Sequence, residues 1–277
     1  MHVAVTVDSV CGWGHAVRME ALVTEIISRG HKPTPVNTTK PRRGKYDWLI
    51  IDAPSVPKWV WQWQKSGIKV ALLNGVGLDV AEKRADLVIV QGLPPKGKKL
   101  PPNTVAGKEY VIIRQTLAQF GRKVGHRDVV FGGAKDALGL LTHYTTTMTE
   151  QPAFLLSTRD GPPVRPAGMF HHLRRLEGDE FLGYLAIAKR AIIAMGMTAW
   201  ECAYLGVPTY AFSLTKTHLQ FAKEMERAGF LRAYPQVGLP ETGEQLEAFL
   251  GKHPILGGSP PDLLGAERIV KALEGLS

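Results

Sequence analysis

Two stretches carry residue types that could hold a phosphate or move a proton. The first is Gly12-Trp-Gly14-His15-Ala-Val-Arg18, a glycine-rich turn that opens a helix. An imidazole at such a helix start can take a proton from an incoming oxygen or contact a phosphate, and it can equally be a structural donor. The second is residues 191–208. There a short apolar strand (191–194) runs into Gly196, Thr198 begins a helix, Glu201 stands one turn on, and Leu205-Gly-Val-Pro208 stops it. A strand–glycine–threonine–helix turn leaves backbone N–H groups unpaired and aimed outward, which suits phosphate oxygens. A carboxylate one turn in can accept from the vicinal hydroxyls of a ribose. The plainer alternative is an ordinary αβ turn in which Thr198 caps a helix and Glu201 is solvated.

Carboxylates at strand ends come next, because the working face of a parallel sheet lies beyond the carboxyl ends of its strands. Asp8, Asp52 and Asn74 each close an apolar run. Asp52, after Leu-Ile-Ile, reads as a general base whose apolar walls raise its affinity for protons, or as the cap of the following turn. His15, Asp52 and Asp8 form the candidate catalytic set. The glycine turn lacks the third glycine of a dinucleotide fingerprint, and Asn37-Thr-Thr39 after the second strand offers no acid to a ribose, which argues against nicotinamide binding.

The elements that must hold these groups alternate. Strands are expected over 3–7, 32–36, 48–51, 69–73, 86–90 and 110–113, with a helix after the glycine turn to about 28 and a helical or irregular stretch over 56–65. A polar, glycine-punctuated linker (121–127) follows, and the pattern restarts. Strand 128–131 runs into Gly132-Gly133, a helix continues to about 147, and strands are expected over 153–157 and 164–170. Helix 180–189, residues 191–208, strand 209–212, helix 218–229, a Gly/Pro-rich segment (256–261) and a final helix (262–276) complete the chain. Strands alternating with helices predict doubly wound parallel sheets.

With 277 residues the chain suffices for two domains, expected at 1–122 and 128–261, followed by the C-terminal helix 262–277. Hydrophobic content of 44% with 21% charged residues is globular. No apolar run reaches membrane-spanning length, and the opening residues read as a strand rather than a signal peptide. Cys11 and Cys202 give no disulfide framework and no zinc spacing, so a cytoplasmic protein with no required metal is expected.

The formal net charge of +9 suits an anionic partner. Arg42, Arg43 and Lys45 follow the second strand, Lys96, Lys98 and Lys99 follow strand 86–90, and Arg174 follows a strand of the second half. These loops are expected on the carboxyl-end side, in excess of what one diphosphate needs. Trp59, Trp61 and Trp63 cannot share one helical face, so at least one is expected to be exposed and able to stack on a base. The alternative for both features is ordinary solvated surface with core tryptophans.

Several of these segments occur in the order found in a known family. Asp8 with Gly12-Trp-Gly-His-Ala-Val-Arg18 resembles the N-terminal signature of the UDP-sugar hydrolase of pseudaminic acid synthesis. Tyr46-Asp-Trp-Leu-Ile-Ile-Asp52, Ala85-Asp-Leu-Val-Ile-Val90 and Gly107-Lys-Glu-Tyr-Val-Ile-Ile-Arg114 follow in that enzyme's order. Val129-Val-Phe-Gly-Gly133 resembles the opening of its second domain. Residues 191–208 with Leu219-Gln220 resemble the nucleotide-sugar site shared with MurG-type GT-B glycosyltransferases. The resemblance implies a GT-B fold, an α/β architecture of two Rossmann-like domains facing each other across a cleft.

It also implies roles. Gly196 and Thr198 would hold the diphosphate, Glu201 the ribose, and Gln220, with His218 beside it, the sugar or its neighbouring phosphate. Gly132 and Gly133 would let a loop approach the ligand, and Gly12, Gly14 and Arg18 would complete the nucleotide-sugar set. His15 would activate the attacking oxygen or steady the sugar. Asn74 stands where the hydrolase tends to carry an acid, and His218 precedes Gln220 where an Asn-Gln pair is usual.

The expectation is a glycosyltransferase that uses a UDP-sugar as donor, needs no cofactor, and glycosylates a hydroxyl of a polyanionic acceptor. DNA bearing a hydroxymethylated base is the most concrete acceptor. The alternatives are a UDP-sugar hydrolase and a non-catalytic nucleotide-sugar or nucleic-acid binding protein.

Overall fold

The structure, a computed structural model, describes residues 1–7, 13–36, 45–52, 58–74, 84–94, 96–97, 99–133, 135–157, 169–174, 176 and 178–277. The chain forms two units, Met1–Arg114 with Asp262–Ser277, and Gln115–Pro261. Each is built on a six-stranded parallel sheet.

In the first unit the strands are β1 (His2–Val7), β2 (Lys32–Pro35), β3 (Trp48–Asp52), β4 (Lys69–Asn74), β5 (Leu87–Gln91) and β6 (Thr104–Gly107), ordered β2-β1-β3-β4-β5-β6. β3 and β5 are buried throughout, as expected of strands covered on both faces, and this is why they read as unbroken apolar runs. Helix α1 (Trp13–Ser28) follows β1, and α2 (Val60–Lys65) follows β3. The order reverses between β1 and β3, where Val7 lies opposite Asp52.

The run 110–113 is not a strand. β6 ends at Gly107, whose φ of 136° turns the chain, and a 3₁₀ turn (Lys108–Tyr110) follows. Val111, Ile112 and Ile113 are buried by packing instead of by pairing in the sheet. Ile112 joins the cluster formed by Val3, Leu22 and Trp48 with Ile269 and Leu273. Periodicity cannot separate these two kinds of short apolar run.

In the second unit the strands are β7 (Asp128–Phe131), β8 (Ala153–Ser157), β9 (Phe170–Arg174), β10 (Ala191–Ala194), β11 (Thr209–Ser213) and β12 (Arg232–Val237), ordered β12-β11-β10-β7-β8-β9. Helices α3 (Leu140–Thr147), α4 (Gly178–Ala186), α5 (Thr198–Leu205), α6 (Lys216–Arg227) and α7 (Gly243–Leu250) connect them. This sheet reverses between β7 and β10, with Phe131 opposite Ile193.

The strand expected over 164–170 begins only at Phe170, and 164–168 lie outside the described residues. β12 and α7 carry no expectation from the sequence. Residues 121–127 belong to the second unit: Lys123 and Gly125 donate to the carbonyls of Ala186 and Ile187. The unit boundary falls between Arg114 and Gln115.

The last helix, α8 (Gly265–Gly275), belongs to the first unit. Ala266, Ile269, Val270 and Leu273 recur at helical spacing and fill the core beside α1. Gly265 is required there, because a Cβ would lie 2.1 Å from the Val111 carbonyl oxygen. Among the described residues no helix is long and apolar enough to cross a membrane.

Candidate functional site

Both reversal points carry candidate residues, and ligands of open α/β sheets bind beyond the carboxyl ends of strands at such points. In the first unit, α1 leaves β1 and starts beside the end of β3. His15 and Arg18, three residues apart, share the face of α1 that meets Asp52. His15 Nδ1 lies 2.7 Å from Asp52 Oδ1. Arg18 donates from Nε to Oδ2 and from Nη2 to Oδ1 of the same carboxylate. Arg18 Nη2 also lies 2.7 Å from His15 Nδ1.

Nδ1 lies between an acceptor, Asp52 Oδ1, and a donor, Arg18 Nη2, both at 2.7 Å; in the tautomer that donates to Asp52, the lone pair of the ring is on Nε2. His15 Nε2 has no partner among the described residues. Asp52 and Arg18 are buried while the His15 side chain is 28% exposed, so the imidazole is the member of the cluster that reaches solvent.

Burial pushes the Asp52 carboxyl up, but hydrogen bonds from His15 and Arg18 and the nearby guanidinium charge outweigh it and hold it below the usual range. This corrects the expectation of a general base with raised proton affinity: Asp52 is an ionised anchor. Arg18, expected in the nucleotide-sugar set, donates to Asp52. Its guanidinium faces Asp52 and is buried, because its position on α1 matches that of His15.

In the second unit, the Gly132-Gly133 turn after β7 and the Met195-Gly196-Met197 turn after β10 leave neighbouring strands side by side. Ala199 N–H donates to Gly196 O and Trp200 N–H to Met197 O. The N–H groups of Gly196 and Thr198 have no backbone partner among the described residues, and Gly196 is exposed in open space. Glu201 is buried in the first turn of α5 beside the fully buried Trp200 and Cys202, where burial pushes the Cys202 thiol up to about 12. β11, next to β10, leads into α6, which Thr215 caps by accepting from His218 N–H. His218 lies in the first turn, half-buried, with its Nδ1 unpartnered among the described residues and burial pushing the imidazole pKa down. Gln220 is exposed.

Gly132 has a local reason to be glycine. A Cβ there would fall 1.7 Å from Asp136 Oδ1. The sequence alone does not single out Asp136. It sits at φ 45°, buried, and accepts from the N–H groups of Leu140 and Leu141 at the start of α3. A second unforeseen pair is Ser157 Oγ and His172 Nε2, 2.9 Å apart at the carboxyl end of β8. Ser157 ending an apolar strand was its only signal.

Asp8, Gly12, Arg42, Arg43 and Lys98 lie outside the described residues. Gly14 is in the first turn of α1, Gly133 takes φ 86° beside Gly132, and Arg174 ends β9. Lys96 and Lys99 are exposed in the β5–β6 connection. Lys45 is not on the carboxyl-end side. Its carbonyl oxygen lies 3.2 Å from the imidazole of His2, the first residue of β1, because a loop joining parallel strands must return to the amino edge. None of the three tryptophans is exposed: Trp63 is fully buried, and Trp59 and Trp61 pack half-buried on the same cluster.

No family model matches the chain, and no curated protein matches it in sequence. Solved structures do. MurG of Acinetobacter baumannii is 14% identical with a TM-score of 0.64, covering 99% of each chain. The UDP-GlcNAc 2-epimerase of Methanocaldococcus jannaschii, in complex with UDP-GlcNAc and UDP, is 12% identical with a TM-score of 0.60, covering 99% of this chain and 100% of that one. The spinosyn rhamnosyltransferase SpnG, complexed with thymidine diphosphate, is 14% identical with a TM-score of 0.60, covering 100% and 96%. Two six-stranded parallel sheets flanked by helices, matched over the whole length, give this chain the two-domain α/β architecture of the GT-B fold.

Proposed function

We propose that the chain is a glycosyltransferase that moves a sugar from a UDP-sugar to a hydroxyl of a polyanionic acceptor, with DNA carrying a hydroxymethylated base as the concrete case. The observation that carries this reading is the His15–Asp52–Arg18 cluster at the reversal point of the first sheet. With its Nδ1 proton held by Asp52, His15 takes the acceptor's proton at Nε2 as the acceptor oxygen bonds to the anomeric carbon. The bond from that carbon to the diphosphate oxygen breaks, and the electron pair leaves on the nucleotide. Asp52 stays ionised and stabilises the imidazolium.

The donor roles fall to the second unit. The Gly196 and Thr198 N–H groups suit the diphosphate, Glu201 the ribose, and Gln220 the sugar. The nucleotides bound by the epimerase and by SpnG support a pyrimidine nucleoside diphosphate. Charge supports the acceptor class: the first unit carries 19 Lys and Arg against 12 Asp and Glu, a net of +7, and the second 15 against 13, a net of +2.

Water would use the same base, so the resembling hydrolase is the competing outcome. The test is UDP release from a panel of UDP-sugars with and without DNA containing 5-hydroxymethylated pyrimidines. DNA-dependent release with a glycosylated base is expected. DNA-independent release establishes a hydrolase, and UDP binding with no release under either condition a binding protein.

A further inference from the structure

The exposed side of α6 carries a second constellation. Lys216, Gln220, Lys223 and Arg227 stand at i, i+4, i+7 and i+11, on one helical face. With Leu219 they line a groove of about 230 Å³. Neither lysine has a partner among the described residues. The two acids of α6 are committed to other partners than the lysines: Glu224 lies 2.5 Å from Arg227 of the same groove, and Glu226 pairs with Arg232 and accepts from Ala233 N–H. The groove therefore holds two uncompensated positive charges, one about a helical turn on either side of the Gln220 amide, roughly 5 Å along the axis. α6 leaves β11, the strand beside β10, so it starts next to the Gly196–Thr198 turn.

We propose that this groove selects a donor whose sugar is itself negatively charged, a uronic acid or another carboxylate-bearing hexose. Gln220 meets a ring hydroxyl, and Lys216 and Lys223 meet the carboxylate. This rests on the reading that the second unit holds a UDP-sugar, and it adds the chemical class of that sugar. A groove of this volume accommodates one hexose, and a neutral hexose would leave both ammonium groups unanswered.

The test is calorimetric titration of the full chain with UDP, UDP-glucose and UDP-glucuronate, which share the nucleotide and differ at one carboxylate. UDP-glucuronate is expected to bind about tenfold or more tighter than UDP-glucose. Lys223→Gln and Lys216→Ala should each shrink that ratio while leaving UDP affinity within about twofold. Equal affinities for the two sugars overturn the proposal and leave the nucleotide reading standing. Equal losses for all three ligands in the lysine variants also overturn it, because the lysines would then serve the diphosphate. A preference that both variants retain overturns the placement on α6. A wild-type chain that binds none of the three overturns this proposal together with the reading beneath it.

Discussion

In the proposed reaction His15 and Asp52 divide a task that neither residue type performs alone. A carboxylate locked between an imidazole and a guanidinium is a poor proton acceptor, so the acceptor's proton is assigned to the imidazole beside it. Asp52→Asn keeps the shape and removes the charge, so turnover is expected to fall by about 10²- to 10⁴-fold, with UDP affinity little changed. Steady-state kinetics beside UDP titration checks this, and a parallel loss of UDP affinity would move Asp52 into the binding machinery. Asp52→Ala is the wrong probe. It removes both oxygens that the buried Arg18 side chain donates to as well as the charge, whereas Asp52→Asn keeps one acceptor.

The same site sets an acid limit. The folded-state pKa of Asp52 lies below its unfolded value, so its contribution to stability is complete above the ordinary carboxylate range and is lost as pH falls through and below that range. Thermal unfolding followed by pH should show this acid limb flattened in Asp52→Asn. In the sequence, the three-residue spacing of His15 and Arg18 is legible. Their common carboxylate is not, because it depends on β3 lying beside β1.

Element boundaries were readable where burial on both faces writes an apolar run, as in β3, β5 and β10. β12 was hidden by its edge position: Arg-Ala-Tyr-Pro-Gln-Val is exposed over its last three residues and has no such run. α7 did leave a signal in Thr242-x-x-Gln245, where the threonine accepts from Gln245 N–H. In the loop after β7, one glycine of the pair also has a local reason. Gly132 makes room for the Asp136 carboxylate, and that carboxylate closes the start of α3, whose preceding Gly139 is left-handed and offers no side chain to cap with. Asp136→Ala removes both acceptors and leaves a Cβ residue at φ 45°. A loss of about 2 kcal/mol is expected in chemical denaturation, with Asp136→Asn retaining part of it because one oxygen still accepts. No loss in the alanine variant would mean that α3 is closed by other groups.

At the level of the whole chain, its two ends build one unit. β1 opens it, α8 closes it, and Arg29 and His31 bind Glu274 across 245 and 243 residues of sequence. That unit also carries most of the positive excess, +7 of the +9, and it holds the proposed base. The described part of this charge is not all at the working edge, since Lys32, Lys45 and Lys69 stand where strands begin. Composition therefore favours an anionic acceptor without indicating its path over the surface, and salt dependence can decide whether the charge is used. Neutralising about three phosphates would weaken DNA binding roughly 40-fold between 50 and 200 mM salt, whereas a single nucleotide held by backbone N–H groups responds far less. Fluorescence anisotropy with a labelled hydroxymethylated oligonucleotide, run beside UDP titration in the same buffers, should show the steep slope for DNA alone. Equal, shallow slopes for both ligands would mean that the first unit's charge serves solubility and that the acceptor is neutral.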